Sequence, residues 1–372
     1  MTSRERHRAT CSFGNLDRYY IHEFGPWAAT DQLWRADGLP DDWRERNHFR
    51  EDGMCNLRRE GVDLGFCRPA YFPRLEVQEL KDEGQTRIIR DSDGIVKRVF
   101  KTNPETSMPQ FLEFPVKTEK DWECVKPLLS PGHPERYAAL EEVDTRLESG
   151  GSQVPLMIGI EGAYMRLRNL LGEENLAYAF YDAPGMLHDM MEVWADLMVE
   201  GFEHVLRYVK LDEVEFAEDL CYKGGPLLSP RHFREYITPN YRRVIGVIKR
   251  LSPETVVNVD SDGNLEEMVP LMVEAGVDMI CPFEVAAGND VVSFRKRYPN
   301  LIIRGGIDKR ALARGPEAID HELERVLPAM WESGGYFPCL DHTVPTDVSL
   351  ARFEYYLERL RKFHPNRTGC ES

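Results

Sequence analysis

The feature that most constrains the fold of this chain is a rhythm of short apolar runs that each stop at charged residues. The runs are VEFAEDL (214–220), TVVNVDSDG (255–263), MICPFE (279–284), LIIRGGIDKR (301–310) and YFPCLDH (336–342). Each is followed by a segment of helical period, which is the pattern of a βα unit in a parallel sheet. When such units close into a barrel, the C-terminal strand ends all open on one mouth. The expected class is therefore α/β, a (β/α)8 TIM-type barrel with an N-terminal helical and hairpin elaboration. Glu218, Asp260, Asp262, Glu284, Arg304, Asp308, Asp341 and His342 would then face a common cavity.

The 372 residues are 42% hydrophobic and carry a formal charge of −16. A single barrel with insertions accommodates that length. The acidic balance excludes a basic footprint for nucleic acid and disfavours an anionic membrane surface. No run of about 18 apolar residues appears. The start MTSRERHRATCSFG lacks a signal-peptide core. Eight scattered cysteines without a Cys-x-x-Cys pattern suit a reducing compartment, so a cytoplasmic location is expected.

Residues 1–60, polar and aromatic with many arginines, read as an N-terminal helical cap, and residues 61–372 as the barrel domain. A first strand is expected within 61–73, ending near Cys67 and Arg68. A hairpin insertion is expected near 75–102, where apolar and polar residues alternate around the turn signal D-S-D-G at 91–94. Helical period returns between 117 and 149. The βα rhythm then runs from residue 154 to a last helix at about 349–363, with Ser229 as an N-cap before Pro230.

Several residue types at the strand ends can do chemistry. Asp260 and Asp262 flank one residue at a strand tip, and Gly263 allows the backbone to turn. They suit metal ligation or acid/base work, while Asp262 equally suits capping the next helix. Asp341 and His342 form a carboxylate–imidazole neighbour pair, and His342 is the leading catalytic candidate. Glu218 and Glu284 end two further strands, where crowded carboxylates need a cation or a proton. The catalytic set expected is His342, Asp260 and Glu284, and the metal set is Asp260, Asp262, Glu218 and His342. Arg166, Arg168, Lys223 and Arg304 are the candidates for binding a charged substrate. The Gly305–Gly306 pair is a weak anion-binding signal.

The segments EDLCYKGGPLLSP (218–230), VDSDG (259–263), PFEVAAG (282–288), GGIDKR (305–310) and LDHTVP (340–345), in that order, resemble the uroporphyrinogen decarboxylase superfamily. This superfamily also holds corrinoid-linked methyltransferases. The resemblance implies a (β/α)8 barrel with its cleft at the C-terminal mouth, and often a homodimer. His342 falls where the decarboxylases carry a histidine. The chain lacks their Arg-Gln-Ala-Gly-Arg motif and their Phe-Ser-Asp strand end, the groups that orient the tetrapyrrole. Asp260, Asp262 and His342 correspond to the His-x-Cys and later Cys of the zinc methyltransferases. Oxygen and imidazole in place of thiolate make such a site harder, though zinc or another divalent metal accepts both donors.

The resulting expectation is a corrinoid-linked methyltransferase of the methyl ether demethylation type. It would act on a small-molecule substrate with a metal at the mouth and a corrinoid carried by a partner protein. The alternatives are a metal-free decarboxylase or lyase of a carboxylated substrate, and a tetrapyrrole- or corrinoid-binding protein without turnover.

Overall fold

The computed structural model describes residues 1–44, 48–57, 64–68, 70–102, 108–138, 140 and 153–363. Its central element is a seven-stranded, all-parallel sheet. The strands are β1 (Cys55–Asn56), β6 (Leu156–Glu161), β7 (Glu213–Ala217), β10 (Val256–Asp260), β11 (Met279–Cys281), β12 (Ile302–Arg304) and β13 (Tyr336–Phe337), in that spatial order. This is the α/β barrel expected, with seven of its strands among the described residues. The runs at 214–220, 255–263, 279–284, 301–310 and 336–342 each supply one strand.

The edge strand differs from expectation. Within 61–73, residues 61–63 and 69 lie outside the described residues, and 64–68 form bends. The edge is instead β1, which pairs in parallel with Leu156 and Met157 and lies in the stretch assigned to the cap. Two residues are too short a run for period-2 patterning to reveal.

The pleat explains both faces of the sheet. Val214, Phe216, Val257, Val259, Ile280 and Ile303 point outward and belong to the main core beneath the helices. The opposite face carries Glu213 and Glu215, Asn258 and Asp260, and Arg304. Val256, Met279, Ile302 and Phe337 close the bottom of this inner face around Tyr20. The barrel interior therefore mixes apolar and charged side chains, with Glu213 level with Val256 and Arg304 level with Phe337.

Helix α1 (Ser3–Cys11) begins with a capping box between Thr2 and Glu5. It lies across the N-terminal strand ends, where Arg4 and Arg8 bond Asp212 at 3.1 and 2.7 Å. Helix α2 is Ala28–Ala36. The excursion near 75–102 is larger than a hairpin. Strands β2 (Gln78–Asp82), β3 (Thr86–Arg90), β4 (Val96–Phe100) and β5 (Gln110–Glu113) form a four-stranded antiparallel meander. The D-S-D-G turn joins β3 to β4, with the Asp91 carboxylate accepting from the amides of Asp93 and Ile95, both at 3.0 Å. Gly94 supplies a φ of 81°.

The periodic segment after residue 117 yields helix α3 (Glu119–Leu129), while 141–149 lie outside the described residues. The barrel helices that bear on the site are α4 (Ala163–Leu171), α5 (Glu173–Asp182), α6 (Pro184–Tyr208), α7 (Thr238–Leu251), α8 (Val269–Ala275), α9 (Val291–Arg297), α10 (Lys309–Arg314), α11 (Pro316–Ser333) and α12 (Leu350–Arg361). Ser229 caps the turn that leads toward α7, as expected. Among the described residues no helix is long and apolar enough to cross a membrane.

Candidate active site at the barrel mouth

Asp260 ends β10 on the inner face, level with Ala217 and Cys281. Burial pushes its carboxyl well above the usual aspartate range. The neighbouring carboxylates of Glu215, Asp262 and Asp219 push further in the same direction, and the Arg304 guanidinium opposes them. A carboxyl crowded by three others holds its proton more tightly, because each neighbouring negative charge disfavours its ionised form.

His342 and Asp262 meet across the mouth, with Nε2 3.5 Å from Oδ2. The Asp262 hydrogen bond raises the imidazole pKa against the opposing effect of burial. The His342 ring stacks on Trp27 at 5.6 Å and on Phe24 at 6.3 Å between centroids. Asp262 therefore does not cap the following helix. The Asx turn there is made by Asn264, which accepts from the Glu266 amide at 3.0 Å.

Glu284 lies at the same rim. It accepts from the Gly263 amide at 2.9 Å and lies 3.8 Å from Lys309 Nζ. Lys309 is also 3.9 Å from Asp341. Asp262 acts electrostatically on both Asp260 and His342, and Glu284 and Lys309 act in opposite directions on His342.

Other expected members are elsewhere engaged. Glu218 is fully buried, and its carboxylate accepts from the Met165 amide at 2.9 Å and from the Tyr241 hydroxyl. Bonds from the Ala163 and Tyr164 amides complete its role as anchor of the α4 N-terminus, where such donors are otherwise unsatisfied. Burial pushes its pKa up to about 7. Asp341 is also fully buried and accepts from the amides of Val285 and Lys309 at 2.9 and 3.1 Å, which ties two loops together. Asp308 caps α10 through the Arg310 amide at 2.9 Å. Gly305 donates its amide to the Phe337 carbonyl at 3.1 Å, which engages one of the two glycine amides in the sheet.

Three of the four substrate-binding candidates make ion pairs within the chain. Arg304 is held bidentately by Glu213 at 2.8 and 2.6 Å, and His7 bonds the same carboxylate at 3.0 Å. Arg166 is buried against Glu161, with Asp93 at 3.6 Å, and locks the meander's turn to the end of β6. Arg168 reaches Asp219 at 3.0 Å. Lys223 is exposed at the tip of a small hairpin formed by β8 (Cys221–Tyr222) and β9 (Gly225–Pro226). The buried guanidinium groups of Arg166 and Arg304 are stable only with such carboxylate partners.

The metal set is not assembled. Glu218 faces α4, and Asp262 and His342 make a pair. Among the described residues no three His, Cys, Asp or Glu side chains gather as ligands. The four-donor zinc arrangement therefore does not fit these residues as they stand, and no step below is routed through a metal.

Beneath the rim lies a cavity of about 290 Å³ between β1, β13 and the N-terminal segment, lined by His22, Glu23, Phe24, Arg50, Asn56, Glu215 and Arg304 among others. Motif reading at strand ends misses the first five, because none belongs to a recognised βα unit. Glu213, Glu215 and Asn258 did carry a signal, since polar residues recur at every second position of otherwise apolar strands. At the rim, Trp27 and Tyr222 are 50% and 57% exposed.

Residues 101–363 match the sequence model of the family described as Uroporphyrinogen decarboxylase (URO-D). A protein named uroporphyrinogen decarboxylase from Streptomyces coelicolor is 24% identical over 77% of this chain and 80% of its own length. A Saccharopolyspora erythraea protein of the same name is 25% identical over 62% of this chain and 64% of its own length. In three dimensions the chain is similar to a methyltransferase from Methanosarcina mazei. That comparison has a TM-score of 0.57 at 14% identity and covers 97% of this chain and 98% of the other.

Proposed function

The chain belongs to the uroporphyrinogen decarboxylase family, and from that premise we propose that it is a methyltransferase assisted by acid at Asp260. As the methyl–oxygen bond of an ether breaks, Asp260 donates its proton to the leaving oxygen, which departs as a hydroxyl group. The methyl group passes to a nucleophile brought by a separate protein, for which a corrinoid carrier is the candidate. Trp27 and Tyr222 would meet that carrier at the rim.

The observation that carries this reading is the crowding of Asp260 by Glu215, Asp262 and Asp219, which favours a protonated carboxyl facing the mouth. Two features argue against a tetrapyrrole substrate with many carboxylates. The mouth is acidic, and Arg166, Arg168 and Arg304 already serve carboxylates of the chain.

The test is methyl transfer from small methyl ethers to a corrinoid carrier, followed by the change in the corrinoid's visible spectrum. Asp260→Asn should lose about 10²–10⁴-fold in rate while still binding the ether. Decarboxylation remains the second reading, favoured by the name that the sequence relatives share. Release of CO₂ from an acid without any methyl transfer would replace the first reading with the second.

A further inference from the structure

At the base of the barrel, away from the mouth, a thiol lies against a histidine that a carboxylate holds in place. His7 on α1 is buried, and its Nε2 lies 3.0 Å from Glu213. Phe337 and Tyr20 pack on the ring at 5.2 and 5.8 Å between centroids. One helical turn further on, the Cys11 sulfur lies 3.8 Å from His7 Nδ1 and 4.0 Å from Nε2. Near-equal distances place the sulfur against the ring and not along one N–H bond, so the contact is one of charge. Burial opposes a charged ring, but Cys11 and Glu213 together raise the imidazole pKa to about 10. A cation against a sulfur favours the ionised, nucleophilic form of the thiol.

The pair is also reachable. Cys11 is partly exposed, and with His7 it lines a cavity of about 470 Å³. The other charged groups of that cavity are largely paired among themselves. Arg8 bonds Asp212 at 2.7 Å, Lys249 on α7 lies 2.5 Å from Asp278, and Glu254 is exposed. His7, Arg8 and Lys249 thus face Asp212, Glu254 and Asp278, and this even balance suits a neutral visitor.

We propose that Cys11 is a reactive thiol that exchanges with small neutral disulfides entering this cavity. Its thiolate attacks one sulfur of the disulfide, and the S–S bond of the visitor breaks as a mixed disulfide forms on Cys11. The other half leaves as a thiolate and takes a proton from solvent, so the visiting disulfide is the oxidant and is itself reduced. His7 is the positioning residue, since its charge lies against the attacking sulfur.

The test treats the native protein with hydroxyethyl disulfide and quantifies the modified peptides by mass spectrometry at about pH 8.5 and about pH 6.5. Cys124, exposed on α3, is the internal reference. The rate at Cys11 relative to Cys124 should rise about fivefold at the lower pH, because an imidazolium preserves a thiolate where an ordinary thiol is protonated. His7→Gln should abolish that rise. Arg8→Gln, which removes a cation outside the sulfur contact, should retain it. A ratio that stays constant with pH in the native protein, or no mixed disulfide on Cys11 at either pH, would overturn the proposal. So would equal losses in the two variants.

Discussion

His342 Nε2 lies 3.5 Å from the Asp262 carboxylate, joining the loop after β13 to the loop after β10 across the barrel mouth. Asp262 therefore acts in two directions. It raises the His342 pKa by accepting its hydrogen bond, and it raises the Asp260 pKa by adding a nearby negative charge. Asp262→Asn should lower both. NMR titration of the His342 ring should show its midpoint moving down toward about 6.5. An unchanged midpoint would mean that the pair does not persist in solution.

The Arg304–Glu213–His7 cluster connects the mouth to the base of the barrel. Glu213 is fully buried and holds its charge because Arg304 and His7 outweigh the cost of burial, so its pKa falls to about 2. Glu213→Gln removes the carboxylate that holds the buried Arg304 bidentately, and should cost about 3–5 kcal/mol in urea denaturation.

His7 gives this cluster a pH signature. Burial lowers its pKa, but Cys11 and Glu213 more than offset this and raise it to about 10. A raised histidine pKa contributes stability that is complete below the unfolded value of about 6.5 and declines as pH rises through about 10. The stability difference between native protein and His7→Gln should therefore shrink between pH 6.5 and 10, as followed by denaturation at several pH values.

Glu218 behaves oppositely to a surface carboxylate. Its pKa of about 7 in the fold, against the ordinary glutamate value of 4.5, favours the protonated folded state. Its contribution is complete below pH 4.5 and is lost as pH rises through 7. Relative to native protein, Glu218→Gln should improve in thermal stability across that interval. A constant difference would show that Glu218 titrates like an ordinary glutamate.

Much of this architecture was legible in the order of residues, for identifiable reasons. Apolar runs ending in Asp260, Glu284, Arg304 and Asp341 each supplied a barrel strand, because β-branched runs and helical period are properties of local sequence. The chemistry of individual strand ends was less legible. Glu218, Asp308 and Asp341 resemble Asp260 in sequence, yet they satisfy helix and loop amides. Only the three-dimensional position of those amides distinguishes a cap from an acid. His22 and Arg50 were missed because they reach the cavity through a tertiary approach of the N-terminal segment, without period or motif. The cysteines near strand ends, Cys221, Cys281 and Cys339, are buried.

The central claim is that Asp260 holds a proton at pH values where ordinary aspartates have lost theirs. It is tested most directly by the ¹³C resonance of the Asp260 side-chain carboxyl, assigned by its absence in Asp260→Asn and followed through a pH titration. The account predicts a midpoint clearly above the ordinary aspartate value of about 3.9, moving down when Asp262 is replaced by Asn. A midpoint at or below that value would contradict it.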